Sequence, residues 1–264
     1  MRIGKQDAPF QSICTSDAQT ITVRGHDLCS EVIGTLDFTS YFWLLVTGQK
    51  PSNAQRLMMD AVLAAIAEHG LVPSVVAARM TLAAAPEAFQ GAVAAGLLGC
   101  GSVVLGSAES AGSFYSATLD AMKEDSRPPA EIVRERLLDL RAKRIPVPGF
   151  GHPQHSAGDP RAHRLLAIAA EIGIAADCVA LLAIIEREIP AAINRPLPLN
   201  VNGAIAAVMI DAGFPLPALK GIALLARTAG LIAHLTEERE RPIGFVLSGK
   251  AAEAITYVDH QGDG

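Results

Sequence analysis

Apolar periodicity of one helix face recurs along this chain, broken each time by Gly or Pro. It restricts the possible folds more than any other feature. Asn53 to Glu68 shows it plainly: Leu57, Met58, Val62, Ala65 and Ile66 recur at helical spacing. Pro51 and Ser52 stand at its start and Gly70 at its stop. The same reading gives helices over Pro73 to Ala85, Pro86 to Gly99, Ser107 to Lys123 and Pro129 to Lys143. It continues over Pro160 to Gly173, Ala176 to Glu188, Val201 to Ala212 and Pro217 to Leu235. Within 129–143, Ile132, Val133, Leu137, Leu138 and Leu140 face one way, and Arg134, Glu135, Arg136 and Arg141 form the wet side. Only Ser12 to Ile13 and Ile21 to Val23 read as strands, in a small hairpin. Ala and Leu abound, whereas aromatics make up 5%. The fold class is therefore all-α, with about ten helices and no fixed-period repeat.

The 264 residues are enough for one large domain or two modest ones. Half are apolar and only 19% are charged, which excludes a disordered chain. Mean hydropathy is +0.30, so a membrane span has to be considered. The chargeless stretch Gly91 to Ala108 holds five glycines and two serines and reads as a buried helix and turn instead. A net charge of −5 without a basic cluster argues against nucleic acid as a partner. Cys14, Cys29, Cys100 and Cys178 are scattered, form no CxxC and have no zinc-like spacing. The expectation is reduced cysteine, no metal and, with no apolar leader after Met1, a cytoplasmic protein.

Two loops interrupt the helices: Arg144 to Arg161 and Arg195 to Gly203, both rich in Pro, Gly or Asn. The first holds His152 behind Gly149-Phe150-Gly151, where glycines let backbone approach a ligand. His155 and His163 are near it in sequence, but the spacing is not a metal-ligating one. His69 closes a helix, where a histidine can simply complement the C-terminal dipole. Arg161 follows Asp159-Pro160, the pattern of a helix cap with a local ion pair. Arg227 lies among Ile222, Leu224, Leu225, Leu231 and Ile232. A buried arginine there needs a protein carboxylate or a bound acid. Arg241 belongs to a run that reads as solvated charge. No GxSxG, GxGxxG or P-loop occurs.

Taken in order, these pieces resemble the citrate synthase superfamily, and within it the short citryl-CoA lyase branch. The resemblance runs through Val23 to Leu28, Leu44 to Pro51, Glu68 to Arg79 and Gly91 to Ser102. It continues through Pro146 to His152, Asp159 to Arg161, Leu199 to Gly203 and Ala226 to His234. It implies a large helical, dimerising domain (1–124 with 206–264) and a small domain (125–205) closing over a cleft. His152 matches the histidine at the oxaloacetate carbonyl, where a donor stabilises a developing alkoxide. His69 matches another substrate-contacting histidine, and Arg161 and Arg227 match arginines that clamp substrate carboxylates. Arg241 matches an arginine reaching the partner's site, which implies a homodimer. Pro146, Val147, Pro148, Gly149, Phe150 and Gly151 match the segment whose backbone holds the coenzyme A adenine. Coenzyme A enters as a thioester substrate, with no permanently bound cofactor, and the other partner is a di- or tricarboxylate.

Three positions depart from the family pattern. Leu105 replaces the synthase histidine that polarises the acetyl-CoA carbonyl, a loss shared with the lyase branch. Ser156 replaces an arginine beside the coenzyme A phosphates. Asn202 replaces the acid/base aspartate, and an amide cannot take up a proton at a useful pKa. The resemblance therefore implies retro-aldol cleavage of citryl-CoA or a related 3-hydroxy-acyl-CoA to acetyl-CoA and oxaloacetate. The alternatives are a catalytically impaired binding or regulatory protein on the same fold, and a plain helical scaffold.

Overall fold

The computed structural model describes residues 9–101, 106–151 and 158–258. Near its start lies a three-stranded antiparallel sheet of β1 (Cys14–Ser16), β2 (Ile21–Val23) and β3 (His26–Asp27), in that order. The first strand begins at Cys14, not Ser12, because Cys14 pairs with Val23. Ser12 and Ile13 are instead drawn into a turn, where Gln11 accepts the Ile13 and Cys14 N–H groups at 2.9 and 3.1 Å. Arg24 and Gly25 both have positive φ, 52° and 83°, as a two-residue hairpin turn requires.

Eleven α-helices are seen among the described residues. The first five are α1 (Phe38–Thr47), α2 (Asn53–Ala67), α3 (Pro73–Ala84), α4 (Phe89–Leu98) and α5 (Ser107–Glu124). Then follow α6 (Pro129–Ala142), α7 (Pro160–Glu171), α8 (Asp177–Ile193), α9 (Val201–Asp211), α10 (Leu219–Glu240) and α11 (Gly244–Ala254). The fold is all-α, as its composition and periodicity lead one to expect. Ser52 starts α2 through a reciprocal capping box with Gln55. Asp159 caps α7, and Asn200 caps α9.

Helix α9 is the centre of the molecule: Val201 and every residue from Gly203 to Met209 are buried. Helices α5, α7 and α8 pack against α9, and α2 packs against α7, α9 and α10. A second, smaller cluster joins Val75, Ala78 and Leu82 of α3 to Ala92 of α4 and Leu231 and Leu235 of α10. Helix α10 is long and apolar enough to cross a membrane by length and composition alone. It packs on α2, α3 and α4, with Arg227 and Glu238 buried along it.

Several expectations need correction. Helix α4 is only half-buried, with Leu98 87% exposed, so the chargeless stretch 91–101 is no fully buried core helix. On α6, Leu138 faces solvent, while Arg136, expected on the wet side, is half-buried with its guanidinium over the Phe114 ring. Cys14 and Cys29 are exposed, and Cys100 and Cys178 are buried; all four are free thiols.

Candidate functional site

The loop holding Pro146 to Gly151 is laid directly on the first turn of α9. Val147 and Phe150 point inward, 4% and 6% exposed, while Pro146 is exposed. Gly149 has φ +82°, and a Cβ there would meet Tyr115 Oη at 2.2 Å and Gly203 Cα at 2.7 Å. Glycine at both 149 and 203 is therefore what lets the two backbones touch. The Asn200 N–H donates to Gly149 O at 3.0 Å, and its side-chain amide donates to Gly151 O at 2.9 Å. The Gly151 N–H donates to Pro198 O at 2.7 Å, beside an antiparallel bridge between Phe150 and Leu199. Asn202 follows in the first turn of α9, partly exposed.

Asp159 binds Arg161 to the same place. It is fully buried, and its carboxylate accepts from Arg161 Nε at 3.0 Å and Arg161 Nη2 at 2.9 Å. It also accepts the Val201 N–H at 3.0 Å, across 42 residues of sequence. Burial pushes the Asp159 carboxyl up, but the Arg161 guanidinium and the two backbone donors outweigh it and hold the net pKa below the usual range. Arg161 thus does make the local ion pair its sequence suggests, and that pair fastens the start of α7 to the start of α9.

A second group gathers along one face of α10, where Arg227, Gly230, His234 and Glu238 are separated by about one helical turn each. Gly230 lets α10 lie against the end of α2; a Cβ there would sit 2.1 Å from Ala67 O. Arg227 is 3% exposed, and its Nε and Nη1 are buried with no hydrogen-bond partner among the described residues. Burial raises the pKa of the Cys100 thiol nearby, against the pull of Arg227 and Lys220. Just beyond α2, half-buried His69 lies in a turn that Glu68 shapes by accepting the N–H groups of His69, at 2.8 Å, and Gly70. Arg241 is out in solvent, 80% exposed, and 4.0 Å from Glu237.

The structure therefore places the candidates in two groups. Arg161, Asn202 and the 146–151 loop form one; Arg227 and the His69 turn flank the α2–α10 contact in the other. Helix α2 touches elements of both. His152 lies outside the described residues, as do Leu105, His155 and Ser156. Glu68, Arg79, His234 and Tyr115 are not marked by the sequence, although each contacts or holds a candidate segment. Asp159, read as the cap and ion-pair partner before Arg161, is found in both roles. A shallow hollow elsewhere, lined by Trp43, Thr47, Lys50 and Gln55 among others, includes none of the candidates.

Comparisons with known proteins give a consistent set of relatives. The family model for the citrate synthase C-terminal domain matches residues 13–244. A citrate synthase from Heyndrickxia coagulans is 27% identical over 215 residues, covering 78% of this chain and 53% of that protein. The chain thus spans about half the length of that curated relative. A citryl-CoA lyase from Hydrogenobacter thermophilus superposes with a TM-score of 0.84 at 28% identity, covering 100% of this chain and 97% of the other. An ATP citrate lyase from Methanothrix soehngenii, solved with citrate and coenzyme A, shares the fold at a TM-score of 0.75 and 20% identity, covering 97% of this chain and 42% of that one.

Proposed function

The chain belongs to the citrate synthase family, and on that footing we propose that it is a cytoplasmic citryl-CoA lyase-like enzyme. It cleaves citryl-CoA, or a related 3-hydroxy-acyl-CoA, to acetyl-CoA and oxaloacetate. One observation carries the reading: Arg227 is a buried cation with two nitrogens that have no partner among the described residues. Such a charge is costly without a counter-anion, and a substrate carboxylate matches its planar fork. The likeness to a citryl-CoA lyase, at a TM-score of 0.84 and 28% identity, supports the lyase branch.

In the proposed reaction, the tertiary alcohol of citryl-CoA gives up its proton. The adjacent C–C bond breaks, its electron pair goes to the acyl-CoA enolate, and oxaloacetate leaves. His152 handles the alkoxide, while Arg227, Arg161 and His69 hold the carboxylates. The enolate carbon then takes a proton from water oriented by the Asn202 amide, and the proton shed by the alcohol restores that water. The 146–151 loop receives the coenzyme A adenine through backbone groups. Residues 125–205 form the small domain that closes over the cleft, and the rest forms a dimerising domain. A homodimer lets Arg241 of each protomer reach its partner's site; its solvent exposure and the exposed Leu71, Leu98 and Phe245 support that arrangement.

Oxaloacetate release from (3S)-citryl-CoA, followed by a coupled dehydrogenase, tests this. Release that disappears in Arg227→Met supports the reading, and no release despite coenzyme A-ester binding overturns it. Asn202 favours a second reading, a binding or regulatory protein that has lost turnover. Asn202→Asp separates the two: a large gain in rate marks a disabled site, and a loss marks an asparagine that works in the present mechanism.

A further inference from the structure

Arg79 of α3 is 3% exposed, yet its donors reach four acceptors. Its Nε donates to Glu238 Oε2 at 2.6 Å, and its Nη1 donates to Glu237 Oε2 at 3.0 Å and meets His234 Nδ1 at 3.2 Å. Its Nη2 donates to the backbone oxygen of Arg241 at 3.3 Å. A guanidinium donates and never accepts, so His234 must offer Nδ1 as an acceptor and carry its ring hydrogen on Nε2. That Nε2 meets Glu68 Oε1 at 2.9 Å, the same oxygen that takes the His69 and Gly70 N–H groups. At the other end, Glu238 Oε1 takes the N–H of Ile243 at 2.9 Å and of Gly244 at 2.7 Å, just past Arg241-Pro242.

The network therefore begins at one turn, crosses α3 and α10, and ends at another. We infer that Arg79, acting through His234 and Glu238, is a positioning residue that holds the His69 turn and the Arg241 turn in one fixed relation. The inference rests on the reading above, in which His69 touches the diacid and Arg241 reaches the neighbouring site. Apolar side chains could join α3 to α10 at least as firmly as a buried ion pair. A directional network fixes the two backbone turns, which apolar packing does not. Through it, the turn serving a protomer's own site is coupled to the turn offered to its partner.

The test uses the purified full-length protein and oxaloacetate as the probe. His234→Leu cuts the link to Glu68 but leaves Arg79 paired with Glu238, and His234→Gln restores a donor toward Glu68. His234→Leu is expected to weaken oxaloacetate binding by about ten- to a hundredfold, as misplacement of a binding group does, with coenzyme A binding unchanged. His234→Gln is expected to recover most of that loss. Amide hydrogen exchange at His69 and Gly70 should quicken in the leucine variant alone. Unchanged oxaloacetate binding and unchanged exchange overturn the inference. If Arg227→Met abolishes binding while His234→Leu does not touch it, the functional reading stands and the positioning role falls. If the parent binds no oxaloacetate, the functional reading fails and exchange alone decides. The double variant Arg79→Met with Glu238→Gln, which leaves no buried charge single, must then loosen both 68–70 and 241–244. Exchange changes confined to the α3–α10 contact refute the coupling.

Discussion

Arg227 is a buried charge whose Nε and Nη1 have no hydrogen-bond partner among the described residues. A buried unsatisfied cation opposes folding, so its retention is a cost set against binding. Arg227→Met keeps the length of the side chain and removes the charge. It is expected to raise the melting temperature by a few degrees, roughly 2–4 °C per kcal/mol recovered in a chain this long. It should also abolish the stabilisation that oxaloacetate gives the parent, read in one thermal-shift series. A fall in melting temperature as large as that of a core deletion would instead make Arg227 a structural residue. Its apolar neighbours Ile222, Leu224 and Leu231 made this arginine conspicuous in the sequence. Arg79 sits in an equally apolar run, Val75 to Leu82, with nothing local to mark it. What separates the two is the partner: Glu238 meets Arg79 from 159 residues away, and no local pattern reports that.

Helix beginnings were more legible than helix ends. Ser52, Asp159 and Asn200 announce their helices through side chains that cap backbone N–H groups. Helix α8, expected to stop at Glu188, runs on through Pro190 to an Asn194 cap with φ 63°. Helix α10 runs past Leu235 because Glu238 is drawn inward by Arg79. Helix α1 is hard to read in the sequence because Phe, Tyr, Trp and Thr fill it, residues of modest helix propensity, and α11 because it carries two glycines. The joint between α7 and α9 yields a pH prediction. Asp159 has its folded pKa depressed, so the stability it contributes is complete above the ordinary value near about 4 and is lost as pH falls through the folded one. Asp159→Asn should cost about 1–3 kcal/mol at neutral pH. Its urea midpoint should then approach that of the parent as the pH drops below that range. Curves that stay parallel in acid would contradict the assignment. A paired test on α10 isolates close packing from propensity. Gly221 has open space where a Cβ would go, so Gly221→Ala should stabilise by up to about 1 kcal/mol. Gly230 has Ala67 O only 2.1 Å from that point, so Gly230→Ala should destabilise by about 1–3 kcal/mol despite the same gain in propensity.

At the scale of the whole molecule, the order of motifs conveyed the fold, while the joining of the two candidate groups through α2 depends on contacts between distant segments. The exposed surface raises a further question, because several large apolar side chains have no cover. Leu71, beside α3, is 52% exposed, and Leu98 (87%), Phe245 (71%) and Val246 (57%) lie on helices that pack with α3. Singly such residues are ordinary; in the proposed homodimer they would lie, with Arg241, on the isologous surface. If the partner supplies Arg241, each active site contains His69 from one protomer and Arg241 from the other. Two inactive variants, His69→Ala and Arg241→Ala, then complement each other. In a heterodimer, the site on the Arg241→Ala protomer keeps its own His69 and receives an intact arginine, while the other site carries both defects. Random mixing makes half the dimers mixed, and half the sites in those are whole, so about a quarter of parental citryl-CoA cleavage should return. If each protomer instead builds its site from its own His69 and its own Arg241, every site in the mixture carries a defect. No activity then returns, however long the subunits exchange.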